Sequence, residues 1–251
     1  MSPHISISAA NIFKIGGFPV TNALFLSFFV FIVFVVFALV LYRKLSLVPN
    51  ILQNIAELIL EGALGIMDSV LLDRRKSEKY LPLVLTIFLF VLFSNWVGLL
   101  PGVGSLIIMH GSEATPLFRS PAADLNFTIA LALISVTFAN GLGVAAIGLR
   151  SRLSVFFNFK NPLTFFVGIL ELISEFARII SFSFRLFGNV FAGEVLLTIM
   201  AFLVPYVAPM PFMFMEIFVG FIQAFIFGML TLVFISMAIT DEHGEKAKQN
   251  A

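Results

Sequence analysis

The chain has 251 residues, of which 60% are hydrophobic and only 12% are charged, and its formal net charge is +1. Apolar content this high indicates a protein that uses lipid as its solvent, and the near-zero net charge excludes a nucleic-acid partner. The chain has no cysteine for disulfides or thiolate ligands, and its three histidines are scattered at positions 4, 110 and 243. We expect one all-α membrane domain over residues 1–251, with neither a cofactor nor a metal site.

Apolar runs of roughly 20 residues, the length that crosses a bilayer, predict five transmembrane helices in a multi-pass protein. They cover residues 20–42, 81–100, 125–149, 162–204 and 211–239. A sixth helix, over 50–72, is amphipathic, because its polar residues fall within about 60° of one direction. Those residues are Asn50, Gln53, Asn54, Glu57, Glu61 and Asp68. This polar face is acidic, so we expect the helix to lie at the membrane interface and pack on protein; the alternative is a solvated loop helix.

Basic residues are distributed unevenly across these five spans. Eleven Lys and Arg residues fall on one side of the membrane, and only Lys14 and Arg119 fall on the other. The bias puts the carboxyl-terminal tail, 240–251, in the cytoplasm or an equivalent compartment. Because the amino-terminal residues do not read as a cleavable targeting segment, we favour a bacterial plasma membrane over an organellar inner membrane.

The fourth span is too long for a simple crossing. Residues 162–198 alone would form a helix about 55 Å long, against a hydrocarbon core of about 30 Å. The helix must therefore tilt steeply or break, and Gly188 is the candidate break. A break would create two spans and move the Lys-bearing tail to the opposite side. We therefore expect one long, strongly tilted helix, with the last span returning beside it as a hairpin.

Six polar residues of the fourth span share one face, within about 80° on a helix of 100° per residue. They are Glu171, Ser174, Arg178, Ser181, Arg185 and Asn189. Arg185 keeps its proton in any protein environment, and a permanent charge at membrane depth costs from about 2.5 to more than about 10 kcal/mol. We expect Arg185 to face protein or water and to control ion movement.

Acidic residues flank Arg185 along the chain. Glu194 lies nine residues beyond it, about 13 Å toward the outer side, and Glu171 lies about 21 Å toward the inner side. Glu216 and Gln223 of the last span share a face, and in an antiparallel hairpin they would approach the region of Glu194 and Arg185. Asp124, at the start of the third span, is either a further acid or a helix N-cap.

Carboxylates exchange protons, and Asn, Gln and Ser side chains hold water, so the pattern predicts a proton or cation route interrupted by a fixed positive charge. Two offset half-routes suit a carrier carboxylate on another chain, which takes a proton on one side and releases it on the other. Structural alternatives stay open: Glu171 and Glu175 could simply pair with Arg178. Glu194 and Glu216 could share a proton, and Gln223 could serve helix packing. Ser174 and Ser181 could bond to backbone carbonyls.

Three other functional classes fit the sequence less well. A secondary transporter usually has inverted repeats and broken helices, and the sequence has no internal repeat. An ion channel usually has a carbonyl filter or a ring of acids, and Arg185 opposes cation flow. A membrane scaffold would need neither Arg185 nor Glu194.

At these residues the chain resembles subunit a of the F-type ATP synthase. The specific motif is Arg185-Leu-Phe-Gly-Asn189-Val-Phe-Ala-Gly-Glu194, and Gln223-Ala-Phe-Ile-Phe resembles the family's last-helix motif. Weaker motifs are Ser94-Asn-Trp-Val-Gly-Leu-Leu-Pro101-Gly and Pro121-Ala-Ala-Asp-Leu-Asn126-Phe-Thr.

The resemblance implies a non-catalytic, proton-translocating stator subunit that couples proton flow to ATP synthesis. It implies that Arg185 faces the rotor carboxylate of a ring of c subunits. It also implies an outer half-channel lined by Asn189, Glu194, Glu216 and Gln223, and an inner one near Glu171, Ser174 and Ser181. The partners implied are the c-ring, a b-type peripheral stalk, the rest of the ATP synthase and membrane lipids. In some relatives the position of Glu216 is His, whereas here both outer positions are acidic.

Overall fold

A computed structural model of the chain describes residues 9–16, 18–100, 103, 106–110, 113–148, 162–205 and 207–240. Within these ranges it has six α-helices, and five of them are long and apolar enough to cross a membrane. The helices are α1 (Asn22–Arg43), α2 (Ile51–Leu71), α3 (Arg74–Gly98), α4 (Leu125–Ile147), α5 (Pro162–Leu203) and α6 (Pro209–Thr240). The expected fold class, an all-α multi-pass membrane protein with five spans and one amphipathic helix, is confirmed. All but the first residue of the expected cytoplasmic tail lies outside the described residues.

Short polar side chains set where two of the spans begin. Asp73 accepts a hydrogen bond from the Arg75 N–H at 2.9 Å, and Asp124 accepts one from the Asn126 N–H at 3.0 Å. Each carboxylate satisfies an amide that has no partner within its helix. Because Asp73 provides this cap, α3 begins at Arg74, well before the apolar run that was expected to span.

Two short β-hairpins, which the sequence does not predict, precede α1 and α4. β1 (Asn11–Ile15) pairs antiparallel with β2 (Phe18–Thr21), and β3 (Ile107–His110) pairs antiparallel with β4 (Glu113–Pro116). Strands of four or five residues carry too little periodicity to be recognised. The Asn22 N–H donates to the Ala10 carbonyl at 3.0 Å, and Asn22 Nδ2 donates to the Pro116 carbonyl at 3.2 Å. Both hairpins therefore meet at the start of α1.

The main core lies between α3, α4, α5 and α6. Val91 of α3, Leu186 of α5 and Ala224 of α6 are fully buried in one cluster. The rings of Phe182 and Phe227 meet edge to face, with their centroids 4.7 Å apart. The small side chain of Ala224 and the contact between the two rings let α5 and α6 pack closely in this region.

The last two helices form a long hairpin. α5 runs without a break through Gly188 for 42 residues, and α6 has 32 residues. At 1.5 Å per residue α5 is about 63 Å long, roughly twice the thickness of a bilayer core. The expectation of one continuous helix is confirmed, and the alternative with a break at Gly188 is wrong.

The amphipathic helix α2 packs on protein at one end only. Met67 and Leu71 are buried in a cluster with Tyr80 of α3 and Leu232 of α6. Toward the other end, Leu58 is 70% exposed. The expected packing on protein therefore holds for the carboxyl-terminal half of α2.

Candidate ion pathway

The polar face of α5 borders a cavity of about 290 Å³. Four of its described lining residues belong to that face: Ser174, Arg178, Ser181 and Arg185. Leu230 and Phe234 of α6 form part of the opposite wall. The cavity has the volume to hold several water molecules, and these four side chains provide polar partners for them. We call it the inner cavity.

Arg185 is exposed on the isolated chain. Its Nη2 donates to the Ser181 Oγ, one turn away on the same face, at 3.4 Å. A guanidinium in the middle of an apolar helix needs water or an acidic partner around it. Its exposure therefore indicates that this side of α5 faces water or another chain.

The second arginine of this face, Arg178, is held inside the chain. Its Nη1 lies 2.9 Å from Glu175 Oε1, and its Nη2 lies 3.9 Å from Glu171 Oε1. The guanidinium lies 4.3 Å from the centre of the Phe234 ring on α6. Asn140 of α4 donates to Glu175 Oε2 at 3.4 Å. Glu171 and Glu175 both pair with Arg178, as the structural alternative proposed, and Glu175 is the closer partner.

Asn189 and Gln223 connect the two helices of the hairpin. Asn189 Nδ2 donates to Gln223 Oε1 at 2.8 Å, and Gln223 is 4% exposed. Asn189 lies one turn beyond Arg185 on α5, toward Glu194. The structure therefore joins the two helices through these polar residues, as helix packing requires, and their role in an ion route stays a prediction.

A second cavity, of about 590 Å³, lies further along the hairpin, and we call it the outer cavity. Residues of α3, of the segment before α4, of α5 and of α6 line it, and both Glu194 and Glu216 are among them. Glu194 Oε2 lies 3.3 Å from the Nε of Arg119, which is only 7% exposed. The two acids predicted for one side of the membrane thus share one cavity.

Glu216 is buried against the backbone of α5. It is 6% exposed, and its carboxylate occupies the space that a side chain at position 193 would need. Gly193 therefore fits this site because it lacks a Cβ. The next residue of α5 is Glu194, which lines the same cavity as Glu216.

Asp124 is 7% exposed and caps α4 through the bond to the Asn126 amide. The described residues that line the two cavities do not include it. The cap therefore accounts for its position, and its role in an ion route stays a prediction.

Two residues of the outer cavity were missed in the sequence. Arg119 is one of only two basic residues predicted on the outer side, and that scarcity was a usable signal. Asn95 of α3 donates to the Gly220 carbonyl at 3.1 Å, and its neighbour Trp96 donates from Nε1 to the Ile217 carbonyl at 3.1 Å. Their approach to α6 joins residues more than 100 positions apart, so no local pattern could reveal it.

The two cavities follow one another along α5. Arg185 lines the inner cavity and Val190 lines the outer one, and the two share none of their described lining residues. Acids therefore occur at both ends of this hairpin, with a fixed positive charge between them. These features define a class, the multi-pass membrane proteins of ion transport.

Comparison with known proteins gives the family. The sequence profile of the family described as ATP synthase A chain matches residues 24–236. The chain therefore belongs to the ATP synthase A chain family.

Similar curated proteins are each named ATP synthase subunit a. The one from Campylobacter jejuni is 35% identical over 210 residues, covering 82% of this chain and 85% of the relative. The one from Syntrophobacter fumaroxidans is 37% identical over 205 residues, covering 80% and 77%. The one from Helicobacter pylori is 36% identical over 206 residues, covering 80% and 82%.

Proposed function

We propose that this chain is the ion-translocating stator subunit in the membrane sector of an F-type ATP synthase. It provides two offset proton half-channels, separated by Arg185, against a rotating ring of c subunits. The observation that carries the proposal is the pair of cavities along the α5–α6 hairpin, each bordered by polar residues, with Arg185 in the inner cavity at the end of its α5 lining nearest to the outer one. Family membership supports the same function.

The outer half-channel begins in the outer cavity. Glu194 and Glu216 accept protons there, because both line it and both can change protonation state. The Asn189–Gln223 pair, at 2.8 Å, lies between these acids and Arg185. Water held by these two amides can pass a proton on toward a carboxylate of the ring.

Arg185 acts as a fixed positive charge at the meeting point of the two half-channels. It attracts the ring carboxylate when that group has lost its proton, and it repels protons that would otherwise leak from one cavity to the other. The exposure of Arg185 on the isolated chain suits a contact with a partner at this face.

The inner half-channel follows the inner cavity past Ser181 and Ser174 toward Glu171. The two hydroxyls line that cavity. Glu171 is the acid nearest the inner end of the polar face, and its side chain is 37% exposed. A proton released by the ring leaves the membrane by this route.

In this proposal the chain is a non-catalytic subunit without a cofactor, and ATP is made elsewhere in the complex. Its partners are the c-ring, a b-type peripheral stalk, the remaining ATP synthase subunits and membrane lipids. The location is the bacterial plasma membrane, and the bacterial origin of the similar proteins supports it.

Arg185 provides the decisive test. Arg185→Ala should lower gradient-driven ATP synthesis by about a hundredfold or more, since it removes a preorganised charge at the reacting position. It should also let protons leak passively through the assembled complex. Arg185→Lys keeps a charge but loses the planar fork and the guaranteed protonation, so coupled synthesis should fail there as well.

ATP synthesis and passive proton leakage are both measured in vesicles that carry the whole complex, at matched amounts of assembled subunit. The unmodified complex is the reference for synthesis and for passive conductance. Normal ATP yield in Arg185→Ala would show that the proposed mechanism is wrong.

A further inference from the structure

We propose that Glu175 is a positioning residue that keeps Arg178 from capturing Glu171, so that Glu171 stays available to the inner half-channel. The inference rests on the proposed function and assigns a role to two charges that the proposed route does not use. Arg178 and Glu175 lie between Arg185 and the inner end of α5.

Arg178 needs such control because of where it lies. It lines the inner cavity together with Arg185, which is seven residues, or about 10 Å, away along the helix. Two uncompensated positive charges in one cavity would repel any cation that moves through it. An unpaired Arg178 would therefore add a second barrier at a place where the ring must release its proton.

Two carboxylates compete for Arg178, and the distances favour one of them. Glu175 lies 2.9 Å from the guanidinium, and the side chains of Arg178 and Glu175 are only 15% and 10% exposed. Glu171 lies 3.9 Å away, at the limit of an ion pair, and its side chain is 37% exposed. Arg178 is thus neutralised mainly by the buried acid, and the more exposed acid keeps access to water.

Neighbouring helices fix this arrangement from two directions. Asn140 of α4 donates to Glu175 Oε2 at 3.4 Å and to the Val136 carbonyl at 3.1 Å. On the other side, the Arg178 guanidinium lies 4.3 Å from the centre of the Phe234 ring of α6. A rearrangement of the Arg178–Glu175 pair would therefore lose contacts to both helices.

Removal of the Glu175 charge should therefore redirect Arg178 to Glu171. In Glu175→Gln, the proton conductance that drives ATP synthesis, measured per assembled complex, should fall about tenfold, because one buried charge has lost its partner and takes the next carboxylate. Glu175→Asp keeps the charge and should retain most of the conductance.

The double variant tells a positioning role from a purely structural one. If Glu175 acts through Arg178, then Glu175→Gln combined with Arg178→Gln frees Glu171, and conductance should return to within about threefold of the unmodified complex. Conductance in Glu175→Gln equal to that of the unmodified complex would overturn the inference. A double variant with conductance as low as that of Glu175→Gln would also overturn it.

If Glu175→Gln does not assemble, a substitution of Asn140 tests the same inference. Asn140→Leu removes the amide contact to Glu175 while both charges stay in place, and it should lower conductance about threefold only when Arg178 is present. An equal effect with Arg178→Gln in the background would overturn the inference.

The Arg185→Ala measurement in the same vesicles separates the two proposals. If Arg185→Ala uncouples the complex while the Glu175 variants behave like the unmodified chain, only the inference about Glu175 fails. If Arg185→Ala leaves coupling intact, the proposed function itself fails.

Discussion

At the scale of single residues, the tightest fit in the candidate pathway is that between Gly193 and Glu216. The carboxylate of Glu216 lies where a Cβ on residue 193 would be, so the two helices approach closely at this point. A glycine in a helix is normally a cost of about 1 kcal/mol relative to alanine. Here the glycine lets the carboxylate of Glu216 lie against the α5 backbone.

Gly193→Ala should leave the chain assembled but slow proton conduction. The added methyl group overlaps the end of a flexible side chain, so Glu216 can turn away without disturbing the fold. Displacement of a proton-carrying group by about 1 Å can cost tenfold or more in rate. The measurement is the proton conductance that drives ATP synthesis in vesicles, normalised to the amount of assembled complex.

Gly141→Ala on α4 is the matched control, because a Cβ there meets no described atom within 4 Å. It makes the same chemical change in another membrane helix and should conduct like the unmodified chain. Equal conductance in Gly193→Ala and Gly141→Ala would show that the position of Glu216 does not limit proton flow.

At the scale of whole elements, caps and cross-helix hydrogen bonds decide where the spans begin and how they pack. Asp124 starts α4 four residues after Ser120, where the segment that lines the outer cavity ends. Asn95 and Trp96 attach α3 to backbone carbonyls of α6. These contacts hold the outer cavity open between four chain segments.

The two interpretations of Asp124 can be told apart by a pair of substitutions. Asn caps a helix as well as Asp does, whereas Ala costs about 1 kcal/mol of stability. If the cap is its only role, Asp124→Asn should assemble and conduct normally, and Asp124→Ala should lower the amount of assembled complex. Loss of conduction in Asp124→Asn at a normal assembly level would instead establish a role in the ion route.

At the scale of the whole molecule, five spans and the distribution of basic residues predict the orientation in the membrane. An odd number of crossings puts the two chain ends on opposite sides. We therefore predict that the eleven basic residues of one side face the cytoplasm and that Lys14 and Arg119 face outward. In this orientation the outer cavity, with Glu194 and Glu216, opens away from the cytoplasm.

A reporter fused after Ala251 should therefore be active only as a cytoplasmic protein. The physical reason is the retention of Lys- and Arg-rich segments on the cytoplasmic side during insertion. The measurement compares a fluorescent reporter with one that works only after export, and a fusion after Arg43 serves as a second cytoplasmic site. Activity of the exported reporter at Ala251 would contradict the five-span topology.

The sequence by itself determined the features that depend on local pattern. Apolar runs predicted the five spans, and the period of 100° per residue predicted the polar face of α5. Arg185 was identified because a permanent charge inside an apolar helix is costly. The continuous α5 also followed, since the distribution of basic residues excluded a break at Gly188. Each of these features depends on residues close together in the chain.

Only the tertiary structure decided which charges meet. The contacts of Glu194 with Arg119, of Glu175 with Asn140 and of Glu216 with Gly193 join residues 75, 35 and 23 positions apart. Periodicity assigns a residue to a face of its own helix, but it does not set the rotation or the axial position of one helix against another. Those are fixed by packing, here by Leu186, Ala224 and Phe227 in the common core.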